Sequence, residues 1–115
     1  MPQGLVDIPN MAGTYRIEDL LKLMAQESAQ ELVLQVGRPP MMLLKGKLRV
    51  LDGPLVGTAE IQELLGGIAT EEQRRELDLC GDSQFQYARE QLGTFHVRAA
   101  LEGQNLSLRV KNLGR

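Results

Sequence analysis

The sequence has few of the residues that usually identify a metal or redox centre. It contains one cysteine, Cys80, one histidine, His96, and no tryptophan. A single cysteine excludes an intrachain disulfide and a multi-cysteine metal site, and one histidine without a nearby cysteine does not make a zinc site. We therefore expect no metal and no cofactor. At the end of a predicted helix, Cys80 is expected to be a small buried side chain.

Long apolar runs and an excess of one charge are also missing. The chain has 13 basic and 15 acidic residues and a net charge of −2, which gives no argument for binding nucleic acid. No run approaches the ~18 apolar residues of a membrane span, and the N-terminus lacks the pattern of a secretory signal. We expect no nucleic-acid partner and no membrane insertion. The lone thiol favours a cytoplasmic location.

The sequence contains no phosphate-binding loop. Gly46-Lys47 is followed by Leu48, so the Ser or Thr that binds magnesium in such loops is missing, and no glycine lies five residues before Gly46. His96 has no Ser or Cys nucleophile beside it in the sequence, and one titratable group without partners does not indicate catalysis. We therefore expect that this chain is not an enzyme by itself.

A length of 115 residues favours one domain with a real core. Residues 1–14 carry prolines and glycines without periodicity, which predicts a flexible arm. Residues 15–111 form the predicted domain, and residues 112–115 are predicted to be a tail or the start of a linker.

The periodicity of apolar residues predicts helices and strands in separate groups. Their order is helix, three strands, two helices, three strands, which lacks the strand–helix alternation of a parallel sheet and favours an antiparallel α+β fold. Thr58 and Thr70 are predicted helix caps, and Gly81 is a predicted helix stop. The predicted segments are helix 16–29, strands 31–36, 41–44 and 48–51, two helices from 58 to 81, and strands 84–87, 94–101 and 106–111.

Two rigid turns lie within the first group of strands. Gly37 can adopt backbone angles that other residues avoid, and Pro39 and Pro40 fix their own φ. Gly46 lies in the next turn, between two lysines. Met42, in the strand between the turns, is expected to be buried.

This region resembles a known family. The type IV pilus and type II secretion ATPases of the PilT type carry a pattern like A-S-D-L-H-L-x-x-G-x-P-P-x-x-R-x-x-G in their N-terminal domain. Glu31 stands at the family's Asp, Val33 at its His and Leu43 at its Arg. The residues that match the pattern shape the backbone and core: Ala29, Leu32, Leu34, Gly37, Pro39, Pro40 and Gly46.

A second resemblance lies in the last strands, where the family has a motif like F-R-V-N-A-F and a later F-R. His96 stands at the family's first Arg, Arg98 at its Asn and Ala100 at its second Phe. The matching residues are Phe95, Val97, Ala99 and Arg109.

The resemblance implies a PAS-like antiparallel sheet of about six strands with about three helices packed on it. It also implies that ATP hydrolysis belongs to a second, RecA-like domain, which is absent from this sequence. In the hexameric ATPases the N-terminal domain borders the bound nucleotide and packs against a neighbouring subunit. ATP would therefore bind only if a RecA-like domain completed the site.

The outward face of the last two strands is the candidate functional site. Strand alternation places His96 and Arg98 on the same side as Arg109 and Lys111. Such a group of basic side chains can dock a phosphate or an acidic partner surface.

We interpret the chain as a non-catalytic interaction or regulatory domain. Its partner would be a pilus or secretion ATPase, another pilus component, or a second copy of itself. One alternative is an N-terminal fragment of a full hexameric ATPase. A second alternative is a PAS-like small-molecule or nucleotide sensor, which would need a cavity lined with convergent polar groups.

Overall fold

The computed structural model describes residues 15–103 and 105–114, so the predicted arm at residues 1–14 lies outside the described residues. The order of elements is the one that the sequence predicts. The elements are α1 (Ile17–Glu27), β1 (Glu31–Gln35), β2 (Met41–Leu44), β3 (Lys47–Val50), α2 (Thr58–Gly66), α3 (Glu71–Cys80), β4 (Asp82–Arg89), β5 (Gly93–Glu102) and β6 (Asn105–Gly114).

The six described strands form one sheet in the order β3-β2-β1-β6-β5-β4. Every neighbouring pair is antiparallel. The sheet is therefore built from two three-stranded units, one from each part of the chain, and the pairing of β1 with β6 joins them. This confirms the prediction of an antiparallel α+β fold with six strands and three helices.

The core lies between the helices and one face of the sheet, here called the inner face. Alternation in β5 and β6 puts their apolar residues on this face, as the sequence predicts. Met42 is fully buried there, which confirms the prediction for that residue. Large side chains with less than 2% exposure fill the core, among them Leu20, Leu21, Met24, Leu32, Leu34, Ile61, Phe95, Val97 and Leu108.

The helix ends follow local capping chemistry. The Thr70 hydroxyl accepts from the Gln73 backbone N–H at 3.2 Å, and the Gln73 side chain accepts from the Thr70 N–H at 2.8 Å, so the predicted cap of α3 is confirmed. Gly81 ends α3 with φ +78°, also as predicted. The predicted cap at Thr58 is wrong by one residue. Gly57 is the N-cap of α2, because its N–H donates to the Glu60 carboxylate at 3.3 Å.

The last strand is longer than its apolar pattern indicates. β6 continues to Gly114, where the sequence analysis predicted a tail or linker from residue 112. Two contacts of Asn112 extend the pairing: its N–H donates to the Gln30 carbonyl at 2.9 Å, and its side chain donates to the Ala29 carbonyl at 3.4 Å. The alternation of apolar residues does not predict these polar contacts, so the sequence pattern ended the strand too early.

Tyr15 fixes the start of the described chain to the connection between β3 and α2. Its hydroxyl donates to the Pro54 carbonyl at 2.6 Å, and its backbone N–H donates to the Glu60 carboxylate at 2.8 Å. Burial, together with the charges of Glu60 and Asp52, raises the pKa of Tyr15 to about 12. The neutral phenol is therefore the form that this environment stabilises.

Candidate functional site

The four predicted basic residues do lie together on the sheet face opposite the helices, here called the outer face. His96 is directly opposite Lys111 across the β5–β6 pair, and Arg98 is directly opposite Arg109. Directly opposed residues on antiparallel strands project to the same side. The structure thus brings all four into two adjacent cross-strand pairs, which we call the basic rows.

Each of three basic side chains has a polar neighbour from a flanking strand. Arg98 Nε lies 3.4 Å from Asp82 Oδ1, and Arg109 lies 3.8 Å from Glu31 Oε1. His96 Nε2 is 3.2 Å from Gln84 Oε1, with the donor set by the histidine tautomer.

The arginine contacts are exposed and long, so each contributes about 0–1 kcal/mol to stability. Either arginine can therefore exchange its present carboxylate partner for a carboxylate of another protein. The two arginine side chains are 57% and 61% exposed, for Arg98 and Arg109 respectively. Within the described residues Lys111 forms no ion pair. The arrangement suits reversible contact with an acidic surface better than a pre-formed phosphate cradle.

The same outer face is apolar at its other end, which the sequence analysis did not predict. The register aligns Val50, Met41 and Val33 across β3, β2 and β1, in the same row as Arg109 and Arg98. A second row contains Leu48 and Leu43 on β3 and β2. The signal was available locally, because alternation through the tight turn at Gly46 places these side chains on one side. The order of the strands decides which residues lie beside these side chains, and that order could not be predicted from local alternation.

The turn residues that match the family pattern determine the path of the backbone between the first three strands. Gly37 has φ +87°, and its N–H donates to the Val56 carbonyl at 2.9 Å. The Pro40 carbonyl accepts from the Leu51 N–H at 2.8 Å. Pro39 directly precedes Pro40 in the same turn. Gly46 has φ +79°, and its N–H donates to the Gln30 side chain at 3.0 Å. These residues therefore position β1, β2 and β3.

Cys80 is exposed, so the prediction that it is a buried side chain is wrong. Only one residue of α3, Leu77, is buried, so the core reaches a single turn of this helix. No group of three or more His, Cys, Asp and Glu side chains within the described part of the chain is arranged to hold a metal ion.

Three depressions formed by residues within 15–103 and 105–114 are open grooves. The groove between α2, α3 and the ends of β5 and β6 has a volume of about 450 Å³. Its lining includes the apolar side chains of Leu65 and Leu77 and the charged side chains of Arg74, Arg75 and Asp78. An open groove with mixed charge is a weak match to the cavity with convergent polar groups that the sensor hypothesis needs.

The backbone has known structural counterparts. It superimposes on part of the pilus retraction motor PilT, solved with bound ADP, with a TM-score of 0.80 over 86% of this chain. The chain shares its fold with a part of PilT. Sequence identity to PilT is 20%, and the match covers 29% of the PilT chain. The resemblance predicted from the sequence is therefore confirmed for the fold.

The ATPase DotB gives the same result. The Legionella pneumophila protein matches with a TM-score of 0.75 at 17% identity, over 95% of this chain and 32% of DotB. The Yersinia pseudotuberculosis protein matches with a TM-score of 0.69 at 14% identity, over 91% of this chain and 32% of DotB. This chain thus spans about a third of the ATPases that it resembles, or slightly less.

Comparison by sequence gave no match, either to a protein-family profile or to a curated protein. Among residues 15–103 and 105–114, no helix has the length and apolar character needed to cross a bilayer.

Proposed function

We propose that this chain is a domain of the PilT type that binds a protein partner and does not hydrolyse ATP by itself. The observation that carries the proposal is the outer face of the sheet on a PilT-like fold: Arg98, Arg109 and Lys111 are exposed at one end of this face, and Leu48 and Val50 are exposed at the other. Surfaces that combine exchangeable charge with apolar contact area are typical of protein interfaces.

The proposed partner is the RecA-like domain of a PilT-type ATPase, in the same or another polypeptide. The resemblance supports this choice, because it implies that the N-terminal domain of such ATPases borders the nucleotide held by the catalytic domain and packs against a neighbouring subunit. Such a contact would place the domain in pilus or secretion machinery, in the cytoplasm, where it would act by binding or by regulation.

The fragment hypothesis remains the second candidate. The share of PilT and DotB that the match covers, 29–32%, is what one domain of such an ATPase would occupy. Reading the gene beyond codon 115 tests it: an open frame with a phosphate-binding loop supports the fragment, and a stop codon rules it out.

The experiment for the main proposal measures hydrolysis and binding on the same sample. The purified chain is expected to release phosphate from ATP no faster than buffer, while a full-length PilT-type ATPase assayed in parallel does so readily. The chain is then titrated into the isolated RecA-like domain in a calorimeter, where saturable heat is expected. ATP turnover by the pure chain would contradict the proposal, and so would the absence of binding.

A further inference from the structure

The strand β3 forms one edge of the described sheet and pairs only with β2. All four of its residues are exposed. Leu48 and Val50 are 57% and 58% exposed, which is unusual for large apolar residues within a strand. An open edge with apolar side chains is a template for pairing with another strand.

The backbone groups that face outward from this edge can be identified. The Leu51 N–H donates to the Pro40 carbonyl of the chain before β2. Because hydrogen-bonded residues alternate along an antiparallel strand, Arg49 and Lys47 also face β2. The N–H and C=O groups of Leu48 and Val50 therefore point away from the sheet, and nothing in residues 15–103 and 105–114 pairs with them.

The side chains of β3 divide by chemistry between the two faces of the sheet. Leu48 and Val50 lie on the outer face, directly opposite Leu43 and Met41 of β2. Lys47 and Arg49 lie on the opposite side, and Lys45 is in the adjoining turn. These three cations are exposed, and none forms an ion pair with another described residue.

We propose that the β3 edge binds an extended segment of a partner protein in which apolar and acidic residues alternate. The segment would add a seventh strand and bond to the outward backbone groups of Leu48 and Val50. Its apolar side chains would pack beside those two residues, and its carboxylates would lie beside Lys47 and Arg49. In this mode main-chain bonds supply affinity and alternate side chains supply specificity.

Charge argues for this partner over a second copy of the same edge. Two β3 strands paired with each other would bring Lys47 and Arg49 of both copies together, and such edge cations normally prevent self-pairing. An acidic strand turns the same charges into attraction. Leu48 and Val50 also belong to the outer face on which the proposed function is argued, but that function is tested at Arg98 and Arg109 and this one at the β3 edge, so either proposal can fail without the other.

The test uses a fluorescently labelled octapeptide in which Val and Ile alternate with Asp and Glu, titrated with the full chain and followed by anisotropy. Two peptides serve as controls: one with the same residues in an apolar block and an acidic block, and one with N-methyl groups on alternate backbone amides. We expect saturable binding of the alternating peptide and a dissociation constant at least about tenfold higher for the N-methylated peptide, which loses its main-chain donors to the β3 edge.

Variants of the chain locate the site. Leu48→Pro removes an outward N–H and keeps the bonds to β2, so it should weaken binding about tenfold without unfolding the sheet. The double change Lys47→Glu and Arg49→Glu should abolish binding of the acidic peptide and create binding of its lysine counterpart. Arg74→Glu with Arg75→Glu makes the same charge change on α3 and should have little effect. Thermal melting confirms that each variant is folded.

Four results would overturn the proposal. They are no binding to the full chain, equal binding of the block peptide, unchanged affinity of the β3 variants, and binding only after residues 5–8 are replaced by Gly and Ser. The last result would mean that Leu5-Val6-Asp7-Ile8 of the chain itself takes the place assigned to a partner.

Discussion

Arg98 in β5 lies directly opposite Arg109 in β6, so two like charges share one cross-strand position. Such a pair destabilises a sheet, in contrast to the apolar or oppositely charged pairs that usually occupy this geometry. Among the described residues, the ion pairs of these arginines are long: Arg98 lies 3.4 Å from Asp82, and Arg109 lies 3.8 Å from Glu31. A like-charge pair that lowers the stability of the sheet is consistent with the binding role that we propose for this face.

The repulsion between these arginines can be measured. A double-mutant cycle with Arg98→Thr and Arg109→Thr should give an unfavourable coupling of about 0.5 kcal/mol in the folded protein. The measurement is urea unfolding of the four proteins at low salt. The coupling should shrink in 1 M NaCl, where the Debye length is about 3 Å. Zero coupling at low salt would show that the two guanidinium groups do not interact.

The hydroxyl of Tyr15 predicts a pH dependence of stability. Its pKa is about 12 in the folded protein and 10.0 in the unfolded chain, so folding favours the protonated form. This contribution is fully present below pH 10 and is lost as the pH rises from 10 to 12, by about 1.4 kcal/mol per pH unit. In Tyr15→Phe this contribution is absent. The free-energy difference between the two proteins should be constant from pH 7 to 9 and should then fall.

The measurement is denaturant unfolding of both proteins at matched pH values, which cancels the titration of the lysines. At pH 8 the variant should be less stable by about 1–2 kcal/mol, because the Pro54 carbonyl loses its donor. A difference that does not change up to pH 12 would contradict the assignment.

Gly53 is required by its contact with Tyr15. A Cβ at position 53 would lie 2.5 Å from the Tyr15 hydroxyl oxygen, closer than packed atoms allow. We expect Gly53→Ala to destabilise the protein by about 1–3 kcal/mol. In the Tyr15→Phe background the same change should cost less, because the clashing oxygen is gone. Chemical unfolding of the single and double variants checks this, and equal costs in both backgrounds would refute it.

The capping residues of α2 and α3 give a matched pair of substitutions. Thr70→Ala removes the hydroxyl that accepts from the Gln73 N–H and should cost about 1 kcal/mol. Thr58 lies inside α2, where Gly57 is the cap, so Thr58→Ala should change stability by no more than about 0.5 kcal/mol. Thermal or urea unfolding measures both. A similar loss of stability in both variants would indicate that Thr58, and not Gly57, is the cap of α2.

Local chemistry explains which parts of the fold could be predicted. The alternation around Phe95, Val97 and Leu108 fixed which face of each strand is buried, and Thr70 with Gln73 fixed the start of α3. Cys80 was misjudged because burial depends on how far the core extends under a helix, and the core contacts α3 only at Leu77.

The candidate site was predictable only in part, because it depends on strand order. The pairing of β5 with β6 joins neighbours in the sequence, so the basic rows followed from alternation alone. The pairing of β1 with β6 joins Val33 to Arg109, which are far apart in the sequence. That long-range pairing places Val33 beside Arg109 and Glu31 beside Lys111 on the outer face, and no local pattern in the sequence predicts it.

The most direct test of the proposed function is calorimetric titration of the chain into the RecA-like domain of a PilT-type ATPase, with the double variant Arg98→Ser and Arg109→Ser beside the unmodified protein. The account predicts saturable binding that the double variant weakens by about tenfold or more, while Arg74→Ser with Arg75→Ser on α3 leaves it unchanged. Equal affinity of both double variants and the unmodified chain would contradict the assignment of the basic rows as the binding surface.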